Sequence, residues 1–103
     1  MGEVTPQFLV ILRFFFESQD DWYSGSQVMK ITKLPSGTVY PLLLRMHEGG
    51  WLDLRLEHID PEEEGRPQRR FYRLSEAGHR EVMKLSRQLN LTEIGRNPIL
   101  AEV

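Results

Sequence analysis

The sequence predicts a mainly α-helical domain of the α+β class that carries a small hairpin and ends in a short helix. Three observations predict it. A capped segment at 36–51 has a helical apolar stripe, a short capped helix precedes it, and a strand-like alternation with a basic return segment follows it. Two helices joined by a tight turn and followed by a two-stranded hairpin make a winged helix-turn-helix.

The first predicted helix begins at Thr5, which can act as its N-cap, with Pro6 in the first helical position. Eight apolar residues between Phe8 and Phe16 surround this helix almost completely. A domain of this size can cover only one side of such a helix. The sequence therefore predicts that the other side meets the first or last helix of a second subunit.

The second and third helices are predicted from their caps. The segment Ser24–Gln27 has the form of a capping box and opens a short helix. Residues 33–35 make a connector of the length expected in a helix-turn-helix. Within it, Pro35 prevents the second helix from continuing and leaves Ser36 free to cap the third.

The third helix is predicted to recognise DNA. Four apolar residues recur at the i, i+3, i+4, i+7 spacing of a buried stripe: Val39, Leu42, Leu43 and Met46. The same spacing directs four others outward, where they can meet a base edge or a phosphate: Thr38, Tyr40, Pro41 and Arg45. Three alternatives remain open, because Tyr40 could pack on the neighbouring helix, Pro41 could only tighten or kink the helix start, and Arg45 could pair with Glu48.

The hairpin follows from the alternation of leucine with polar residues at 52–57, which is typical of a half-buried strand. A long loop at 58–67 leads to a partner strand at 68–74, rich in aromatic and basic residues. Because adjacent strand residues point to opposite faces, either Arg69 or Arg70 is expected to face DNA.

Three segments together resemble the PadR-type transcriptional regulators. They are Ser-Gly-Thr-Val-Tyr-Pro at 36–41, Glu-Gly-Gly-Trp-Leu at 48–52 and Gly-Arg-Pro-Gln-Arg-Arg-Phe-Tyr-Arg-Leu-Ser-Glu-Ala-Gly at 65–78. The resemblance covers roughly Pro6 to Val82. It implies a winged-helix, DNA-binding regulator, most often a repressor, that dimerises through a C-terminal helix, here shortened.

The net charge of -2 is unusual for a protein that binds nucleic acid, but the basic residues gather on the expected reading surface. The acidic residues at 57–64 form a tip that we expect to project into solvent, since phosphates would repel it. The residues predicted to contact DNA are Lys30, Lys33, Ser36, Thr38, Tyr40, Pro41, Arg45, Arg66, Gln68, Arg69 and Arg70.

The last helix is predicted to be capped by Ser75 and to carry an apolar stripe before a break at 95–98. The predicted dimer interface comprises Phe8, Leu9, Leu12, Phe16, Val82, Leu85 and Leu89. The sequence thus divides into a DNA-binding domain at 1–75 and a C-terminal helix and tail at 76–103.

Composition excludes several functions. The 103 residues make one domain, and the absence of cysteine removes thiolate metal sites, catalytic thiols and disulfides. The longest apolar run is too short for a membrane span, so a cytoplasmic protein is expected. The histidines and the Glu62–Glu64 cluster lack metal-site spacing, and no nucleophile, base and orienting group form a catalytic arrangement. No metal, cofactor or enzymatic activity is expected.

Two functions remain. The first is a dimeric repressor bound to an inverted repeat in double-stranded DNA, with half-sites about 10 base pairs apart. The second is a winged-helix module that binds another protein through its acidic tip and apolar first helix, without DNA. The aromatics Trp22, Tyr23 and Trp51 are expected in the core or an interface; in a dimer they could line an effector pocket, which nothing else in the sequence supports.

Overall fold

The computed structural model describes residues 5–88. Five helices and three strands follow one another as α1 (Pro6–Glu17), β1 (Tyr23–Ser24), α2 (Gly25–Thr32), α3 (Ser36–Glu48), β2 (Leu52–Leu56), α4 (Pro61–Glu64), β3 (Arg70–Leu74) and α5 (Glu76–Gln88). Strands β2 and β3 form the predicted hairpin, and α2 and α3 form the helix-turn-helix before it. The winged-helix fold class is confirmed.

The sheet has three antiparallel strands in the order β1-β3-β2, one more than the predicted two-stranded wing. Strand β3 pairs with β2 from Leu52 opposite Leu74 to Leu56 opposite Arg70. On its other edge, β1 places Tyr23 opposite Tyr72. A strand of two residues is too short to show any alternation, so the sequence pattern did not reveal it. The loop predicted at 58–67 also contains the short helix α4.

The core collects residues from α1, α2, α3, the hairpin and α5. Its buried members are Phe8, Ile11, Leu12, Phe15, Val28, Val39, Leu42, Leu43, Met46, Trp51, Leu52, Tyr72, Leu74 and Val82. Helix α1 begins as predicted, because the Thr5 hydroxyl accepts a hydrogen bond from the Phe8 N–H at 3.1 Å. The buried stripe predicted on the third helix is confirmed.

The predicted dimer interface needs correction. Helices α2, α3 and α5 and strand β3 all pack on α1, and the part of this helix that one chain leaves uncovered includes Val10, which is 43% exposed. Phe8, Leu12 and Val82 are therefore completely or almost completely buried inside their own chain and offer no surface to a partner. Leu9, Phe16 and Leu85 are half-buried and stay predictions. The predicted interface residue Leu89, the break at 95–98 and the tail lie outside the described residues.

The helix-turn-helix has the predicted connector at 33–35 and the predicted capping box at Ser24. The prediction that Ser36 caps α3 is wrong. Ser36 is the first helical residue, and Pro35, in extended conformation, stands at the cap. Proline has no side-chain acceptor, so α3 has no side-chain cap; the Pro35 carbonyl oxygen accepts the N–H groups of Thr38 and Val39, each at 3.0 Å, as the first backbone bonds of the helix.

Helix α5 is fixed to the turn that ends α3. The Ser75 hydroxyl caps α5 as predicted by accepting the Gly78 N–H at 2.9 Å, and it donates to the Gly50 carbonyl at 2.6 Å. The Ser75 N–H donates to the Trp51 carbonyl at 2.9 Å. The start of α5 is thus joined to the turn after α3 by two direct hydrogen bonds. Within the described part of the chain, no helix combines the length and apolarity that a membrane span requires.

Candidate nucleic-acid interface

The outward face of α3 is the centre of the candidate interface. Tyr40 is 49% exposed and Leu44 47%, and Pro41 and Arg45 are also exposed, while Thr38 is half-buried. Sequence reasoning missed Leu44. Its position three residues after Pro41 and four after Tyr40 was the available signal, because residues at these separations lie side by side on a helix.

Tyr40 contacts the start of α2 through Gly25. A Cβ atom at Gly25 would lie 2.9 Å from Cζ and 3.0 Å from Cδ1 of the Tyr40 ring, closer than real side chains approach. The ring therefore rests on a glycine that has no side chain to displace it. Half of Tyr40 nevertheless remains exposed, so packing on α2 and a contact with DNA are compatible roles.

A cleft of about 760 Å³ separates α3 from β3. It brings together five of the residues predicted to bind DNA: Tyr40, Pro41, Gln68, Arg69 and Arg70. The start of α2 also lines it, with Leu44, Pro67 and Tyr72 as apolar walls. Helix α3 and the wing thus share one concave surface with two arginines on its wing side.

The other predicted contacts lie outside this cleft. Lys30 lies in the last turn of α2, Lys33 follows it in the connector, and both are exposed. Ser36 is exposed at the first position of α3, and Arg45 is exposed toward its end. Within residues 5–88, Lys30, Lys33 and Arg45 form no ion pair, so the alternative pairing of Arg45 with Glu48 is not observed.

The side chain of Arg66 forms an ion pair within the wing itself. Its two terminal nitrogens donate to the two carboxylate oxygens of Glu57 at 2.8 and 3.0 Å. This bidentate pair and the Arg69 N–H, which donates to the same carboxylate at 3.1 Å, lower the pKa of Glu57 from 4.5 to about 2. Gln68 also donates to the Glu57 carbonyl at 2.9 Å. Arg66 and Gln68 therefore hold the hairpin in shape, whatever else they contact.

Arg69 and Arg70 differ from Arg66 because their side chains are exposed and form no ion pair in the part of the chain that the structure describes. The acidic residues Glu62–Glu64 lie on α4, between the two strands, and are all exposed. Cations that are unpaired among the described residues therefore line the cleft, while the acidic cluster is exposed at the connection between the strands.

The three aromatic residues assigned to the core or an interface have different environments. Trp51 is buried and packs edge-to-face on Phe8 at 5.3 Å between ring centroids, and Tyr23 packs on Phe14 at 4.8 Å. Trp22 is half-buried between two arginines, with the guanidinium carbons of Arg55 and Arg73 at 4.6 and 4.4 Å from the ring. These cation–π contacts cover the sheet face opposite the core.

Comparison with known proteins gives a family. Residues 26–84, more than half of the chain, match the model of the transcriptional regulator PadR-like family. The match includes α3, the hairpin and most of α5, and therefore the whole cleft apart from its edge at the start of α2. No curated protein sequence matches the chain.

Solved structures of regulators share the fold. A possible transcriptional regulator from Methanosarcina mazei is 22% identical, with a TM-score of 0.64 over 84% of this chain and 74% of that chain. A PadR family regulator from Eggerthella lenta is 17% identical, with a TM-score of 0.64 over 82% and 76%. MepR from S. aureus in complex with DNA is 16% identical, with a TM-score of 0.62 over 87% and 70%.

Proposed function

Because the chain belongs to the PadR-like family of transcriptional regulators, we propose that it is a dimeric, sequence-specific DNA-binding protein that represses transcription. The observation that carries this proposal is the cleft in which the outward face of α3 meets Arg69 and Arg70 of the wing, which form no ion pair among residues 5–88. A helix and a basic hairpin on one concave surface can enter a major groove and hold the adjacent phosphates at the same time.

Each part of the surface has its own role in this proposal. The outward side chains of α3 contact base edges, and Arg45 makes the bidentate contact that guanine offers. Arg69 and Arg70 contact phosphate or the minor groove, and Lys30 and Lys33 add charge beside the helix-turn-helix. DNA binding itself is supported by the structure of S. aureus MepR in complex with DNA, since the two folds are similar.

The second subunit is proposed to dock on α1 and α5. Leu9, Phe16 and Leu85 are half-buried, and Val10 and Met83 on the same two helices are 43% and 40% exposed. Because α1 and α5 pack against each other, a partner could cover both with one apolar surface. Sedimentation equilibrium at micromolar concentration tests the dimer directly; a monomer throughout would contradict it.

Selection from a random pool of double-stranded oligonucleotides tests the DNA function. We expect an inverted repeat with half-sites about 10 base pairs apart, bound more tightly than random DNA in a gel-shift assay. A pool that returns no enriched sequence would contradict sequence-specific binding. Transcription from a promoter that carries the selected repeat should fall when the protein is added, because a bound dimer excludes polymerase; an increase would identify an activator.

A protein-binding module without DNA affinity remains the second candidate, on the strength of the exposed acidic residues of α4. Burial of four of the eight apolar side chains at 8–16 weakens it, because that helix was its expected docking surface. We propose neither a cofactor nor an enzymatic role for the chain. Since the proposed target is DNA, we expect the protein to act in the cytoplasm.

A further inference from the structure

The exposed surface in the middle of α3 is largely apolar. Between residues 39 and 47, the exposed side chains are Tyr40, Pro41, Leu44 and Arg45. Only Arg45 and the Tyr40 hydroxyl can form hydrogen bonds there. A helix that reads DNA by hydrogen bonds alone would need more polar groups on this face.

Leu44 has no evident part in the fold. It is 47% exposed and belongs neither to the buried core nor to the half-buried residues that pack against it. It lies instead on the wall of the cleft with Pro41, its neighbour one turn earlier on the helix. Tyr40, whose ring packs on Gly25, borders the apolar patch formed by Pro41 and Leu44. An apolar surface in this position needs an apolar partner in the DNA.

The major groove offers one such partner, the C5 methyl group of thymine. Building on the DNA-binding function proposed above, we propose that Leu44 and Pro41 form a subsite for thymine methyl groups. In this proposal, Leu44 is a specificity-determining residue. Arg45 then contributes the polar contact next to this subsite, and the operator half-site carries thymine where α3 enters the groove.

The expected size of the effect follows from burial of one methyl group, which changes affinity by about fourfold. Deoxyuridine differs from thymidine only by lacking this group, so it tests the contact without disturbing base pairing. Each thymine of the selected operator half-site is replaced by deoxyuridine in turn, and the affinity of the wild-type protein, Leu44→Ala and Leu56→Ala is measured. Leu56 is the matched control, because this wing leucine is 45% exposed and lies outside the cleft.

For the wild-type protein and Leu56→Ala, we expect about a fourfold loss of affinity at one or two thymines. Leu44→Ala should bind the unmodified operator more weakly and lose this sensitivity, with an unchanged circular dichroism spectrum. Wild-type binding that is insensitive to every replacement would overturn the proposal while leaving DNA binding intact. Equal sensitivity in Leu44→Ala would overturn the role of Leu44. Failure to bind any DNA would instead refute the proposed function, and the subsite with it.

Discussion

The Tyr40 ring lies directly on the backbone of Gly25, so α3 touches the first turn of α2 at a place where a Cβ atom would overlap with the ring. Gly25 is not in the left-handed region, so its backbone would accept another residue without strain. What glycine provides here is space. The position of a half-exposed aromatic ring on the proposed DNA-binding surface therefore depends on a residue of another helix.

Replacing Gly25 by alanine is expected to displace the Tyr40 ring and weaken operator binding. The added methyl group would overlap with the ring, and the ring can swing away because half of it is exposed. The free energy of unfolding should change little, whereas operator binding should weaken by roughly 1 kcal/mol, the size expected when a single side chain no longer meets the DNA. Urea denaturation and fluorescence anisotropy measure the two effects separately.

A double-mutant cycle with Tyr40→Ala is the control for this prediction. If Gly25→Ala acts through the ring, it should cause almost no further loss of affinity in a protein that has no ring. Fully additive losses would mean that alanine at position 25 disturbs α2 or a phosphate contact instead.

Gly78→Ala is expected to destabilise the fold. The new methyl group would overlap with the Trp51 carbonyl oxygen and lie 3.0 Å from Cδ1 of Leu74. A backbone carbonyl cannot move aside cheaply, particularly one that accepts the Ser75 N–H. We expect a loss of about 1 to 3 kcal/mol in the free energy of unfolding, measured in urea.

The matched control is Gly37→Ala in α3, where a new methyl group would meet nothing within 4 Å. With no clash, alanine should leave stability unchanged or raise it slightly, because it favours the helix. A similar loss in both proteins would show that close packing of α5 on Trp51 does not explain the effect at Gly78.

Most of this fold is visible in local sequence patterns. Thr5, the Ser24 capping box and Ser75 all mark helix starts by side-chain bonds within three residues, and such bonds depend on sequence neighbours alone. The same reliance on local pattern explains the wrong prediction at Ser36. Serine is a usual N-cap residue, and nothing in the neighbouring sequence shows that Pro35 takes that position instead.

What the sequence could not reveal depends on contacts between distant residues. The burial of Phe8 and Val82 requires helices from both ends of the chain to meet, and the Tyr40–Gly25 contact joins two helices at one point. Arg66 was predicted to bind DNA from its position in a basic segment. Its partner Glu57 is nine residues away across the hairpin, so the ion pair appears only once the strands are paired.

Lys33 offers a substitution that should separate stability from DNA binding. It ends α2 in the left-handed region at φ 64°, an unfavourable conformation for a residue with a side chain. Lys33→Gly should raise the free energy of unfolding by about 1 kcal/mol and weaken DNA binding through loss of one positive charge. Lys30→Gly removes the same charge inside the helix and should lower stability by about 1 kcal/mol. Equal stability changes in the two variants would contradict the role of the backbone conformation at Lys33.

The Glu57–Arg66 pair should make stability depend on pH under acidic conditions. The folded-state pKa of Glu57 is about 2, below its ordinary value of 4.5, because Arg66 and the Arg69 N–H stabilise the carboxylate. A lowered pKa contributes stability that is fully present above about pH 4.5 and disappears as the pH falls toward 2. Wild-type protein should therefore lose its stability advantage over Glu57→Gln across this interval, measured as the difference in urea midpoints.

Glu63→Gln is the control, since Glu63 is exposed on α4 and forms no ion pair within the described residues. Its urea midpoint should follow the wild-type midpoint through the same pH interval. If Glu57→Gln also followed the wild type, the ion pair would contribute nothing in solution, as happens for many exposed pairs.

The wing should contribute affinity without sequence preference. Arg69 and Arg70 are exposed, unpaired among residues 5–88 and located on the cleft, so we expect each to contact phosphate or the minor groove. The double substitution to alanine should weaken binding to operator and random DNA alike. It should also reduce the slope of log affinity against log salt by about one unit for each phosphate that the wing no longer neutralises.

A pair of substitutions on α5 controls for net charge. Arg80 and Lys84 are exposed there, outside the cleft, and replacing both by alanine removes the same charge as the wing variant. This second variant should change the salt slope much less, because the slope depends on the counterions that are released where a cation contacts a phosphate. Replacing Glu62, Glu63 and Glu64 by glutamine should instead raise non-specific binding modestly, since repulsion beside the wing is removed. Identical salt slopes in all of these proteins would mean that the hairpin never approaches the DNA backbone, and Arg69 and Arg70 would then be assigned to protein contacts.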